Sequence, residues 1–276
     1  WFGDLGEYPG LGSILRPHNG HLLGTTRLLY LGTSELFGAD YLIQRIMGVI
    51  SVLACSGLFF ALAKRRVGNL LALAPAVLLL VYGSAWQHVV GPIGFTVLIS
   101  PAFGLAAFLA LERRDTRGDI LACAFVCLSV FSYTVGLGFL VGAAIYVLAD
   151  RDRLRRAYIF VIPLVGYAIW WLSVRDLGQQ DRTTLGNLDR VPDFVANAGA
   201  TVSGGLTGVS IPFSRFGSDK ADLFTAPPGA LGWIAAVVLL GAVIWRIWRG
   251  DVPKSLWASL GVLATYWLAA SLSDPL

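Results

Sequence analysis

Carboxylates are missing from every long apolar run of this 276-residue chain, and cysteine, methionine and histidine are scarce, at 3, 1 and 3 residues. Each shortage excludes something. Charged residues make up 14% of the chain against 56% apolar ones, a balance foreign to an ordinary soluble domain. The want of acidic residues inside the runs argues against ion-coupled transport, which is usually marked by carboxylates at membrane depth. Cys55, Cys123 and Cys127 all fall inside apolar runs, so a disulfide framework is not indicated. Cys123 and Cys127 share a helical face, but without His or carboxylate company they read as small packing residues rather than metal ligands. A net charge of +4 does not point to nucleic acid, because the basic residues are scattered over several loops.

What the chain does have is eight apolar runs, at 42–63, 70–86, 93–111, 120–133, 135–149, 157–173, 229–248 and 255–272. Most approach the ~20 residues that a helix rising ~1.5 Å per residue needs to cross a hydrocarbon core. The two runs flanking Tyr133 are short, which predicts a tight reversal there. The expected fold is all-α: a polytopic transmembrane helical bundle of about eight spans. Residues 1–41 form an external loop and interfacial helix, 42–173 six spans, 174–228 a long external loop, 229–272 two spans, and 273–276 the next external segment. With Trp1 at its start and Asp274-Pro275-Leu276 directly after a run, the chain reads as an excerpt, with a further span expected before it.

Threading the runs back and forth gathers Lys64, Arg65, Arg66, Arg113, Arg114, Arg117, Arg151, Arg153, Arg155, Arg156, Arg246, Arg249 and Lys254 on one side, thirteen of the 21 basic residues. The short loops opposite, near 87–92 and 133–136, hold none. That asymmetry marks the basic side as cytoplasmic, in an inner or plasma membrane. Both long segments then face outward, and long loops are commonly functional.

Inside the runs, Pro75, Pro101 and Pro163 remove backbone hydrogen bonds and predict kinks. Gly138 and Gly142 form a small-xxx-small pair that lets two helices approach closely. In the second long segment, Asp189 ahead of Val191 and Pro192 suits a helix start.

The first segment carries the densest set of candidate chemical groups: Asp4, Glu7, Arg16, His18, Asn19 and His21. Apolar residues at helical spacing from about His21 to Phe37, interrupted by Arg27 and Glu35, predict a helix lying along the membrane surface. A carboxylate held at that surface can act as general base toward a hydroxyl or bind a divalent cation. His18 and His21, three apart, would share one helical face and with Asp4 offer a metal site; as the bland alternative they anchor the following helix. Arg45, near the outer end of the first run, and Arg27 are candidates to bind phosphate through the planar guanidinium fork. For Arg27, snorkelling to the interface is the favoured reading. Gln87 and His88, next to the interfacial Trp86, are placed to line an outer cavity.

Four short stretches carry a family resemblance: Trp1-Phe2-Gly3-Asp4; Arg16-Pro17-His18-Asn19-Gly20-His21 ahead of a surface helix; Ser84-Ala85-Trp86-Gln87 at a run's end; and Ser132-Tyr133-Thr134-Val135-Gly136-Leu137-Gly138 at the reversal. In this order the chain resembles the membrane glycosyltransferases of the C superfamily (GT-C) and bacterial multi-span relatives of them. The resemblance implies transfer of a sugar from a polyprenyl-phosphate donor at the external face. It makes Asp4 the base or metal contact, with Glu7 secondary, and Arg45 or Arg27 the holder of the lipid phosphate. Many members have adjacent acidic residues where Leu5 and Gly6 here separate Asp4 from Glu7. Two other readings stay open: a transporter or flippase of a lipid-linked or phosphorylated substrate, and a non-catalytic assembly partner within the membrane.

Overall fold

The computed structural model describes residues 11–18, 20–38, 40–81, 94–174, 230–250 and 252–272, with four isolated positions between 188 and 195. Its elements are all helical: α1 (Leu11–Leu15), α2 (Gly24–Phe37), α3 (Tyr41–Val81), α4 (Gly94–Leu111), α5 (Thr116–Ser132), α6 (Gly136–Leu148), α7 (Arg153–Arg156), α8 (Tyr158–Val174), α9 (Ala230–Trp248) and α10 (Lys254–Leu272). An isolated bridge between His18 and His21 is the one extended pairing among the described residues. The second long segment, including Asp189, lies almost wholly outside the described residues.

The longest element is two helices joined end to end. Gly68 sits inside α3 at φ 81°, a left-handed conformation that costs glycine little and other residues more. The Ser56 hydroxyl donates to the Ala76 carbonyl at 2.8 Å. In an unbroken rod those residues would stand ~30 Å apart, at ~1.5 Å per residue. The arms 41–67 and 69–81 therefore fold back on each other, in keeping with two separate apolar runs in the sequence.

Helix α5 starts where Asp115 accepts a hydrogen bond from the Gly118 amide at 2.6 Å, a side-chain cap on a free N–H. It ends at Ser132, and α6 begins at Gly136, so the expected tight reversal is present. A Cβ on Gly136 would run into the backbone of Ser129 and Val130, which cannot yield. Glycine lets the reversal close. Buried between α4 and α5, the Ser100 and Ser129 hydroxyls each donate to the other's carbonyl, at 2.9 and 2.7 Å. The Gly138 and Gly142 pair does bring two helices together. A Cβ on Gly142 would stand 2.7 Å from both Phe108 and Val262 and 2.8 Å from the Ala258 carbonyl, seating α10 directly on α6. Around this contact Phe108, Leu111, Val126, Val130, Leu140 and Val147 form the core.

Among the described residues two helices are long and apolar enough to cross a membrane, Tyr41–Leu80 and Gly94–Leu111. That is fewer than the expected eight: α6 has 13 residues and α8 has 17, and the break at Gly68 makes Tyr41–Leu80 two folded-back arms rather than one rod. Pro75, Pro101 and Pro163 lie within α3, α4 and α8. Much of the outer surface is apolar, with Leu70 84%, Val237 66% and Ile244 65% exposed.

Candidate functional site

Of the expected site residues, Asp4, Glu7, Gln87 and His88 lie outside the described residues; His18, His21, Arg27 and Arg45 are within them. The structure shows what surrounds each of these four.

His18 and His21 do not share a helical face. Their backbones exchange two hydrogen bonds of 3.0 Å across a turn in which Gly20 stands at φ 74°. The physical reason is local: an Asn-Gly dipeptide favours the positive φ of a tight two-residue turn over a helix. The turn delivers His21 to the α5–α6 reversal, where its Nδ1 lies 2.6 Å from the Thr134 hydroxyl and its ring 4.3 Å from that of Tyr133. Among the described residues no three His, Cys, Asp or Glu side chains gather as a metal site.

Arg27 does not snorkel. It is 1% exposed on the inward face of α2, beside buried Thr26 and Tyr30. Its Nη1 donates to the carbonyl of Ser13 and, at 2.7 Å, to that of Arg16. The Ser13 and Arg16 carbonyls thus stand in for water at Nη1. A helix is thus present from Gly24, but Arg27 points inward while Glu35, Leu36 and Phe37 are exposed. Arg45 is exposed, its guanidinium 4.4 Å from the centre of the Tyr41 ring.

Two further contacts fasten this part of the chain to the bundle. Trp170 Nε1 donates to the Leu15 carbonyl at 2.6 Å, and Thr25 donates to the Leu128 carbonyl at 3.4 Å. Between the segment and the bundle lies an open cleft of about 350 Å3, whose walls include Leu15, Thr25, Leu28, Leu128, Phe131 and Ile162. It is almost entirely apolar.

The far ends of α5 and α8 are held differently. Arg156, 8% exposed, binds Asp119 at 2.7 Å and Asp150 at 2.5 Å, and Lys254 binds Asp150 at 2.6 Å. Arg65 and Arg66 bind Glu112 at 2.6 and 2.8 Å. The hydrogen bond from Lys254 holds the Asp150 carboxyl below its ordinary range against the opposing effect of burial, with the charges of Lys254 and Arg156 adding to it. Asp115 is lowered chiefly by the Gly118 amide and then by Arg113. Arg156 and Trp170 stand 14 positions apart on one chain direction, roughly 20 Å along a helix. The clasped segment and the ion pairs therefore occupy opposite ends of the bundle.

Comparison with protein-family models, with curated proteins and with solved structures returned no match.

Proposed function

We propose that this chain is a multi-pass integral membrane transferase of GT-C type. It moves a sugar from a polyprenyl-phosphate donor to an acceptor at the end of the bundle where residues 11–24 dock, with the ion-paired turns facing the cytoplasm. The observation that carries the reading is the apolar cleft beside that segment. A cleft walled by leucine, isoleucine and phenylalanine suits a hydrocarbon tail and offers little to a soluble sugar. Asp4 precedes Leu11 by seven residues, within roughly 25 Å even at full extension.

In this reading the Asp4 carboxylate takes the proton of the acceptor hydroxyl as its oxygen attacks the anomeric carbon. The bond from that carbon to the phosphate oxygen breaks, and the lipid phosphate leaves with the electron pair. Glu7 is the second acidic group in reach. Arg45 is exposed near the start of α3 and offers a charge-assisted donor set to the departing phosphate. A divalent cation would serve the same end, neutralising charge on the phosphate.

The test is sugar transfer from a polyprenyl-phosphate donor by the intact protein in membranes. Asp4→Asn is expected to lower turnover at least a hundredfold, the usual scale for a general base, with thermal unfolding unchanged. Full activity in that variant removes Asp4 from the mechanism. Movement of the lipid across the bilayer with no chemical change would replace the transferase reading with a flippase.

A further inference from the structure

The basic end of the bundle holds two populations of arginine. Arg156 is buried and spent on Asp119 and Asp150. Around it Arg114, Arg117, Arg151, Arg153 and Arg155 are exposed and form no ion pair among the described residues. Asp119 and Asp150 are turned inward, with side chains only 13% and 16% exposed, and Asp115 is held by Arg113, which among the described residues leaves Asp152 as the exposed acidic residue without an ion pair beside these five arginines. Because Arg156 ties the turn after α6 to the first turn of α5, these outer arginines belong to one surface. Arg114 acts on Asp150 through its charge from the neighbouring turn, and it holds a left-handed backbone at φ 54°, uncommon for a side-chain-bearing residue.

Leu154 decides the kind of partner. It is 88% exposed, between Arg153 and Arg155. A soluble polyanion has no use for a projecting leucine. A bilayer surface takes both: the apolar side chain enters the acyl boundary while flanking guanidinium groups meet phosphates.

We infer that Arg114, Arg117, Arg151, Arg153, Leu154 and Arg155 form a binding surface for the headgroups of anionic phospholipids. The inference rests on the membrane reading above but not on the transferase chemistry. The ion pairs beneath the surface hold it in shape, and the five outer arginines outnumber the acidic residues exposed beside them, so the surface is net positive.

The experiment uses the intact chain purified in neutral detergent, with native mass spectrometry counting retained lipid from an equimolar mixture of phosphatidylglycerol and phosphatidylcholine. Phosphatidylglycerol is expected to be retained preferentially. Combined Arg151→Gln, Arg153→Gln and Arg155→Gln should weaken its binding about fivefold per arginine, near a hundredfold together, with the preference falling as salt is raised. Leu154→Ser alone should weaken it about fivefold, a readout that survives if the triple variant misfolds. Equal retention of the two lipids, or unchanged phosphatidylglycerol binding in both variants, overturns the inference. So does tighter binding of inorganic phosphate or of a single-stranded oligonucleotide than of phosphatidylglycerol. Release of the chain from membranes by alkaline carbonate would instead overturn the membrane reading itself, and loss of sugar transfer with lipid selectivity intact would overturn only the transferase reading.

Discussion

The two ends of the bundle satisfy their polar groups by different chemistry. At the basic end, side chain meets side chain: Arg156, Lys254, Arg65 and Arg66 are held by Asp119, Asp150 and Glu112. At the other end side chains meet chiefly backbone: Arg27 binds the Ser13 and Arg16 carbonyls, Trp170 that of Leu15, and Thr25 that of Leu128, with His21 to Thr134 a side-chain pair beside them. Ion pairs fix helix ends to one another and can be exchanged residue for residue. Carbonyl contacts instead fix the path of a loop whatever its side chains are.

The sharpest way to break this contrast is Arg27→Ala. It removes two charge-assisted hydrogen bonds and leaves buried carbonyls without their donor, a loss of about 3 to 5 kcal/mol. Residues 11–21 should become sensitive to limited proteolysis, while the ion-paired end keeps its protection; equal resistance of mutant and parent would contradict the clasp. Asp119→Ala should do the converse at about 2 kcal/mol, since Arg156 keeps Asp150 as partner. A lowered unfolding midpoint with residues 11–21 still protected is the expected signature.

The smallest effect is on acid sensitivity. Asp150 has a lowered folded pKa, so its stabilising contribution is complete above the unfolded carboxyl value of about 3.9 and is lost as pH falls through the folded value. Asp150→Asn is expected to be less stable than the parent at neutral pH and to show a weaker decline below about pH 4, followed by thermal unfolding. A parallel decline in both proteins would deny Asp150 that role.

Much of the helical layout was legible because apolar runs and helices coincide. The runs at 93–111, 135–149, 157–173, 229–248 and 255–272 match helices to within one residue at each end. Where hydropathy and helix part company, polar residues are the reason. The run beginning at Ile120 missed the first turn of α5, since Thr116, Arg117 and Asp119 are polar yet follow a good cap in Asp115. Burial was least legible. Nothing in spacing distinguishes an arginine on the outer face of α2 from one beneath a wrapped loop, because the covering carbonyls of Ser13 and Arg16 belong to residues with no pattern of their own. Of the two readings of His18 and His21, the shared helical face gives way to a turn in which the two backbones pair. The meeting of His21 with Thr134, 113 positions apart, joins two stretches that the sequence had singled out separately.

The central claim is that the clasped end and the ion-paired end face opposite sides of a membrane. With Cys55, Cys123 and Cys127 replaced by serine, Gly12→Cys and Arg153→Cys place one thiol at each end, both at exposed positions. In intact cells a membrane-impermeant maleimide should label Gly12→Cys and reach Arg153→Cys only after the membrane is opened. Labelling of both before opening, or of Arg153→Cys alone, contradicts the account.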